Sequence, residues 1–405
     1  MLTPGEALSA ILDAVHPRAG RVLDLDQALG RVLAEAVVSG ESIPPFVNSA
    51  MDGYAVRGAD LAGAPVTLEV VGERAAGSVG SEAVRPGTAI RIMTGAPLPD
   101  GADTVVPVEL TARYGGSVEI HRAVKPGANI RQAGEDVREG ETVLTAGTLL
   151  RPAELGLLAA LGRPRAAVVP PPVVAVITTG DELVDVAEAL GPGQIRDANL
   201  HSLCAQVRAC GAIPLPVPRV RDDAGTLEAA LRDALEHADA VITNGGISMG
   251  EYDHIRPVME RLGIRQLFWQ VAQKPGKPMA FSLADDKPIF GVPGNPVSAL
   301  ICFEEYVRPA LRKMMGHALL HRPQREARWA EPQKKAADDH RVHFHRVLLK
   351  EEDGRLWASS TGPQGSGILT SMTRANALAL LAAEDHDVKH GDPVTVHLMD
   401  QPEDH

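Results

Sequence analysis

The sequence predicts a multidomain α/β plus β protein: a central parallel α/β sheet domain, an inserted β domain, a helical linker domain and a C-terminal β domain. Three observations predict it. Between residues 171 and 320, short apolar runs alternate with helical stripes, the pattern of βαβ units whose parallel strands are covered on both faces. Between 47 and 133, brief β-type runs are separated by Gly, Pro and Asp, which suits a small all-β unit. Beyond 321 the pattern is again strand, turn, strand. The domain limits expected are 1–46 with 134–170 for the helical and mixed domain, 47–133 for the insertion, 171–320 for the α/β domain and 321–405 for a barrel-like C-terminal domain.

Each element follows from local chemistry. Thr3-Pro4-Gly5-Glu6 is a capping box with Pro at the first helical position, and Leu8, Ile11, Leu12 and Val15 continue at helical spacing. Leu25, Leu29, Val32, Leu33 and Ala36 predict a second helix. The runs 66–71, 89–93, 104–108 and 118–120 are short strands. Helical character returns at Pro152 with Leu155, Leu158 and Ala159, so the β unit reads as an insertion between two helical stretches. Pro170-Pro171-Pro172 is a stiff connector.

After it, 173–178 is a buried strand, and Leu200, Leu203, Cys204 and Val207 make a helix that Gly211 stops. Residues 213–220 form a strand. Asp222 or Asp223 caps a helix bearing Leu227, Leu231, Ala234 and Leu235. Strand 240–243, a helix with Ile255, Val258, Met259 and Leu262, strand 288–292 and a helix from 297 toward 315 complete the alternation. In the C-terminal part, strands 342–350 and 355–359 flank the turn Glu351-Glu352-Asp353-Gly354, and 394–398 is a last strand.

Composition narrows the function. Lys and Arg number 40 against 52 Asp and Glu in 405 residues, a net charge of −12, which argues against a nucleic-acid partner and its broad basic footprint. A small anionic ligand answers to local groups and stays open. Three cysteines, an odd and sparse set, suit a reducing compartment and buried thiols. No apolar run has transmembrane length, and the N-terminus lacks a secretory pattern, so no membrane partner and a cytoplasmic location are expected.

In an open parallel sheet, ligands bind beyond the carboxyl ends of the strands, and three loops there are unusual. Thr178-Thr179-Gly180-Asp181-Glu182-Leu183 gathers two hydroxyls, a glycine and two carboxylates. Thr243-Asn244-Gly245-Gly246-Ile247-Ser248-Met249-Gly250, followed by Glu251 and Asp253, can turn successive N–H groups toward one anion. Asp253 fits beside a cation such as Mg²⁺ better than beside bare phosphate. Gly291-Val292-Pro293-Gly294-Asn295-Pro296 presents a helix start with Asn295 as cap. A fourth segment, Lys274-Pro275-Gly276-Lys277-Pro278, is a positive island on a stiff turn. Ser49-Ala50-Met51-Asp52-Gly53-Tyr54-Ala55-Val56 and Arg91-Ile92-Met93-Thr94-Gly95-Ala96 are further turn-like segments in the β unit. His343 and His345 fall on one strand face and are expected at a solvated edge.

In their order along the chain, from Ser49–Val56 to Pro293–Ser298, these segments together resemble the molybdopterin molybdenumtransferase family over essentially the full chain. The resemblance implies an elongated, four-domain protomer that dimerises and inserts molybdate into adenylylated molybdopterin with Mg²⁺, releasing AMP. It implies a site shared between protomers, with Asp52 and Thr94 brought across the interface. The residues it carries over are Asp52, Thr94, Glu182, Asp222, Asp253, Lys274, Lys277, Pro293 and Pro296, with Asp223 adjacent to Asp222. Thr179, Gly180, Asp181, Gly245, Gly246, Ser248, Gly250, Asn295 and Ser298 are expected to bind substrate. Glu182 and Asp253 are expected to hold the metal, and Lys274 and Lys277 anionic oxygens. Two positions depart from the family: Gln270, where related bacterial sequences often have Lys, and Gln273, where Met is usual. Competing readings are a molybdopterin adenylyltransferase, which performs the preceding step on a related fold, and a non-catalytic scaffold.

Overall fold

A computed structural model describes residues 1–78, 80–246 and 255–399. The chain divides into two compact units, one comprising Met1–Val22, Gly30–Ala34 and Ala167–His405, the other Leu23–Leu29 and Glu35–Ala166.

The second unit is built on a six-stranded sheet. In chain order its strands are β1 (Gly53–Val56), β2 (Val66–Arg74), β3 (Thr88–Ile92), β4 (Thr104–Pro107), β5 (Thr111–Tyr114) and β6 (Ser117–Ile120). They lie in the order β4-β1-β3-β2-β6-β5. Neighbours are antiparallel except β2 and β3. Tyr54, Val56, Leu68, Val106 and Ile120 form one core under it. A helix at Pro152–Ala160 follows as predicted. The predicted second helix is cut short: only Leu25–Ala28 is helical. Gly30 lies in the left-handed region at φ 72°, which ends a helix, and Val32 and Leu33 instead pair with Val169 and Val168 as a strand.

In the first unit the α/β core carries α1 (Pro4–Ala14), β7 (Val173–Thr179), α2 (Ala198–Ala209), β8 (Ile213–Val220), α3 (Ala224–His237), β9 (Ala240–Asn244), α4 (Ile255–Arg261), β10 (Arg265–Phe268), β11 (Gln273–Lys274), β12 (Ala280–Ala284), β13 (Lys287–Val292), α5 (Pro296–Cys302) and α6 (Arg308–Met314). The sheet order is β8-β7-β9-β13-β12-β10. The first four strands are parallel, as expected, and the last two are antiparallel additions. Alternation along β7 sends Val174 and Val176 to one core and Ala175 and Ile177 to the other, the period-two pattern of a sheet covered on both faces. Helix α1 joins the first of these cores through Ala7, Ile11 and Val15. The N-terminal turns therefore group with the α/β domain, not with residues 134–170.

The C-terminal domain is a closed barrel of β14 (Gln324–Trp329), β15 (Val342–Glu352), β16 (Arg355–Ser360), β17 (Ala377–Leu381) and β18 (Pro393–Leu398). Closure comes from β15 pairing with both β16 and β17, with β16 covering its later residues, 347–352. Strand β11 adds to it alongside β15, with Lys274 opposite His343. His343 and His345 are consequently not at a solvated edge: His343 is buried, and its ring stacks on that of His345 at 5.9 Å.

Candidate active site

The carboxyl ends of β7, β9 and β13 meet around a cavity of about 510 Å³. Thr178, at the end of β7, donates its hydroxyl to Asp197 at 2.5 Å, and the other oxygen of Asp197 caps α2 through the Leu200 N–H. Asp197 is thereby fixed in the cavity wall while only 5% exposed. At the end of β9, Asn244 donates to the Pro293 carbonyl at 2.6 Å. Asn199 donates to Asn244 Oδ1 at 2.8 Å and to the Gly294 carbonyl at 2.7 Å. Two amides thus tie three strand-end loops together. Asn199 and Asp197 do not stand out in the sequence, because lone Asn and Asp residues near helix starts read as ordinary caps, and Asn244 falls within the glycine-rich loop without a role of its own.

Gly245 and Gly246 have φ of 93° and 62°, the left-handed region that a side chain disfavours. A Cβ on Gly245 would lie 2.8 Å from the Thr179 carbonyl oxygen and 2.9 Å from its hydroxyl. The glycine turn therefore packs directly on the end of β7. The Thr179 hydroxyl is buried and has no hydrogen-bond partner. Glu182 and Asp222 line the same cavity, with Pro293, Asn295 and Pro296 opposite. The two adjacent carboxylates at 222 and 223 are placed differently. Asp223 is the N-cap of α3, accepting from Gly225 and Thr226, while Asp222 lines the cavity. Asp181 accepts from the Asp222 N–H at 3.4 Å. The Glu182 carboxylate folds back over Gly180, where a Cβ would sit 2.6 Å from it. Asn295 takes the cap position of α5 without a side-chain capping bond. Ser298 is buried inside α5 and does not line this cavity. Ser248, Gly250 and Asp253 lie outside the described residues.

Lys274 and Lys277 are exposed on their turn. Lys274 lines a second cavity of about 400 Å³ with Lys334, His343, His345 and Arg346. Arg346 is 1% exposed and held by the Ser371 hydroxyl and the Gly365 carbonyl. Burial lowers it to about 10, so it remains a cation at neutral pH. Sequence reasoning missed Arg346 and Ser371 because the C-terminal barrel offered no motif.

Asp52 and Thr94 lie in the other unit. Thr94 donates both its N–H and its hydroxyl to one oxygen of Asp52.

A doubly wound α/β domain with a glycine turn and carboxylates at its strand ends, and a cationic cavity in the same unit, is an enzyme architecture suited to phosphorylated, oxyanionic ligands. Comparisons with known proteins narrow this. Family models match at residues 2–162 (MoeA N-terminal region, domain I and II), 175–313 (probable molybdopterin binding domain) and 330–399 (MoeA C-terminal region, domain IV). A molybdopterin molybdenumtransferase of Haemophilus influenzae is 38% identical over 98% of each chain. Molybdopterin molybdenumtransferase 2 of Mycobacterium tuberculosis is 40% identical over 92% of this chain and 93% of its own. The crystal structure of a molybdopterin biosynthesis MoeA protein from Pyrococcus horikoshii superposes with a TM-score of 0.85 at 30% identity, covering 99% of this chain and 100% of that one. The chain belongs to the molybdopterin molybdenumtransferase family.

Proposed function

We infer that the protein is a transferase that inserts molybdate into adenylylated molybdopterin, releasing AMP and the finished molybdenum cofactor. The observation that carries this reading is the pairing of two cavities in one unit. The first has a glycine turn and carboxylates at the strand ends, suited to a phosphorylated pterin. The second is cationic and shares Lys274 with the turn above β12, suited to a dianion. Molybdate and a pyrophosphate repel one another, so bringing them together needs fixed positive charge in a site of low dielectric. Lys274 and Arg346 supply it from two elements whose backbones pair.

The donor set of the first cavity suits Mg²⁺. Glu182, Asp222 and the unpartnered Thr179 hydroxyl are oxygen donors, with no His or Cys among the described lining residues, and hard oxygen ligands select such a cation. Glu182 and Asp253 would hold it. A bound Mg²⁺ would supply charge compensation for the pyrophosphate. Asp52 and Thr94 are assigned to the same reaction as groups supplied by a second protomer of a homodimer. No helix among the described residues is long and apolar enough to cross a membrane.

The test is to supply adenylylated molybdopterin with molybdate, or molybdopterin with ATP. Cofactor and AMP are expected from the first mixture only, with magnesium added back after chelation. Turnover from the second mixture alone would reassign the protein to the preceding step. Near-normal turnover in both Glu182→Ala and Asp253→Ala would remove the metal assignment.

A further inference from the structure

The turn bearing Lys274 and Lys277 rests on one buried amide. Gln273 has no exposed surface, whereas the lysines after it are exposed. Its Nε2 donates to the Pro275 carbonyl at 3.1 Å and to Cys302 Sγ at 3.5 Å. Its Oε1 accepts from the Tyr306 hydroxyl. A Cβ on Gly276 would lie 2.5 Å from Gln273 Nε2 and 2.6 Å from Cys302 Sγ. The backbone of the turn is therefore seated directly on these groups. Tyr306 is 1% exposed and lies in a π-helical turn, Phe303–Val307, between α5 and α6. Such a turn re-aims side chains relative to a regular helix and recurs at functional sites.

The surroundings make this arrangement costly without a purpose. Val271, Met279 and Phe303 belong to the apolar core around Cys302 and Tyr306. An amide and a phenol placed there must satisfy each other. A methionine at 273 would need no such partner. The one bond of this polar pair that is directed outward goes to the turn that carries the two ammonium groups.

We propose that Gln273 is a positioning residue: its amide N–H fixes the Lys274–Lys277 turn through the Pro275 carbonyl, while the Tyr306 hydroxyl satisfies the buried amide oxygen. The inference rests on the reading of these lysines as oxyanion contacts. A lysine is a point charge on a flexible stem, so the backbone beneath it sets where the charge is presented, and small misplacements cost binding and rate.

The test compares Gln273→Met, Tyr306→Phe and the double variant in full-length protein. Thermal melting, calorimetric binding of molybdate and the KM for molybdate are read together. Gln273→Met is expected to weaken molybdate binding and raise KM about three- to tenfold, the worth of one hydrogen bond, with kcat within about twofold. It also lowers Tm, because the Tyr306 hydroxyl loses its acceptor. Tyr306→Phe lowers Tm but leaves KM within about twofold, since the bond to Pro275 survives. The double variant recovers Tm, because removing both partners of a buried pair is nearly neutral, yet its KM stays raised. KM tracking Tm through the variants, or Gln273→Met binding molybdate like the wild type, overturns the proposal. So does a wild-type protein that does not bind molybdate. Should the double variant not fold, the two single variants decide. Wild-type binding without turnover would instead defeat the functional reading and leave the binding comparison to judge Gln273.

Discussion

One oxygen of Asp52 accepts both the backbone N–H and the hydroxyl of Thr94, each at 2.7 Å. The N–H first and the hydroxyl second hold this exposed carboxyl below the usual carboxylate range. The two residues therefore work as one anionic group of fixed direction. Thr94→Val keeps the shape and the N–H but removes the hydroxyl. It is expected to lower turnover about tenfold, as loss of one charge-assisted hydrogen bond does, and to leave the melting temperature unchanged. The acid limb of the activity profile should move to higher pH, because the carboxylate is less stabilised. An unchanged profile in Thr94→Val, measured from pH 4 to 8, removes the coupling.

Gly245 leaves no room for a side chain. Its φ of 93° and the 2.8 Å approach to the Thr179 carbonyl act together, so Gly245→Ala has to displace the end of β7 or the turn itself. The expected result is a fall in kcat/KM on the order of a hundredfold in a protein that still folds. Gly156, in the helix Pro152–Ala160 with open space around it, is the control. Gly156→Ala should stabilise by about 0.5–1 kcal/mol with no change in turnover. Equal kinetics in the two variants would show that the glycine turn does not shape the site.

Asp222 and Asp223 separate cleanly. Asp223 spends both oxygens on the first turn of α3, toward Gly225, Thr226 and the Thr226 hydroxyl, and these bonds hold it below the ordinary range. Asp223→Ala should lower the melting temperature and leave kcat/KM within about twofold, since an N-cap acts on its own helix. Asp222→Ala should do the reverse, with turnover down at least about tenfold and melting unchanged. Paired melting and turnover measurements check both.

The strands and helices of the α/β domain were legible because apolar period and turn chemistry agree there, as at Leu200, Leu203, Cys204 and Val207, all buried on one face of α2. The helix expected through Leu33 was not, because the local pattern is helical but Val32 and Leu33 are claimed by β-pairing with residues far along the chain. Glycine turns and paired prolines announce themselves by composition, so the strand-end loops could be found. Beyond the local cap that Asp197 gives Leu200, Asn199, Asn244 and Asp197 act through partners 19 to 95 residues away, and no spacing rule reveals that. His343 and His345 were misplaced for the same reason: whether a strand is an edge depends on closure of the barrel.

Barrel closure gives the last prediction. His345 packs edge-on to Trp329 at 5.8 Å and stacks with His343, and its buried Nδ1 has no partner. Burial first, then the neighbouring charges of His343, Arg346 and Lys274, lowers it to about 4. His343 is also lowered by burial, although Asp339, 2.9 Å away, pulls the other way. A histidine depressed on folding is neutral in the native state, so the unfolded chain binds the proton first as pH falls. The stability His345 leaves intact is therefore fully present above about 6.5 and is lost progressively down to about 4. Calorimetric melting should show the wild type losing stability across this window. His345→Phe should keep the ring packing, remove the orphaned nitrogen and melt no lower than wild type at pH 7.5. Its decline toward pH 4.5 should be shallower. Parallel curves for the two proteins would mean that the acid sensitivity arises elsewhere.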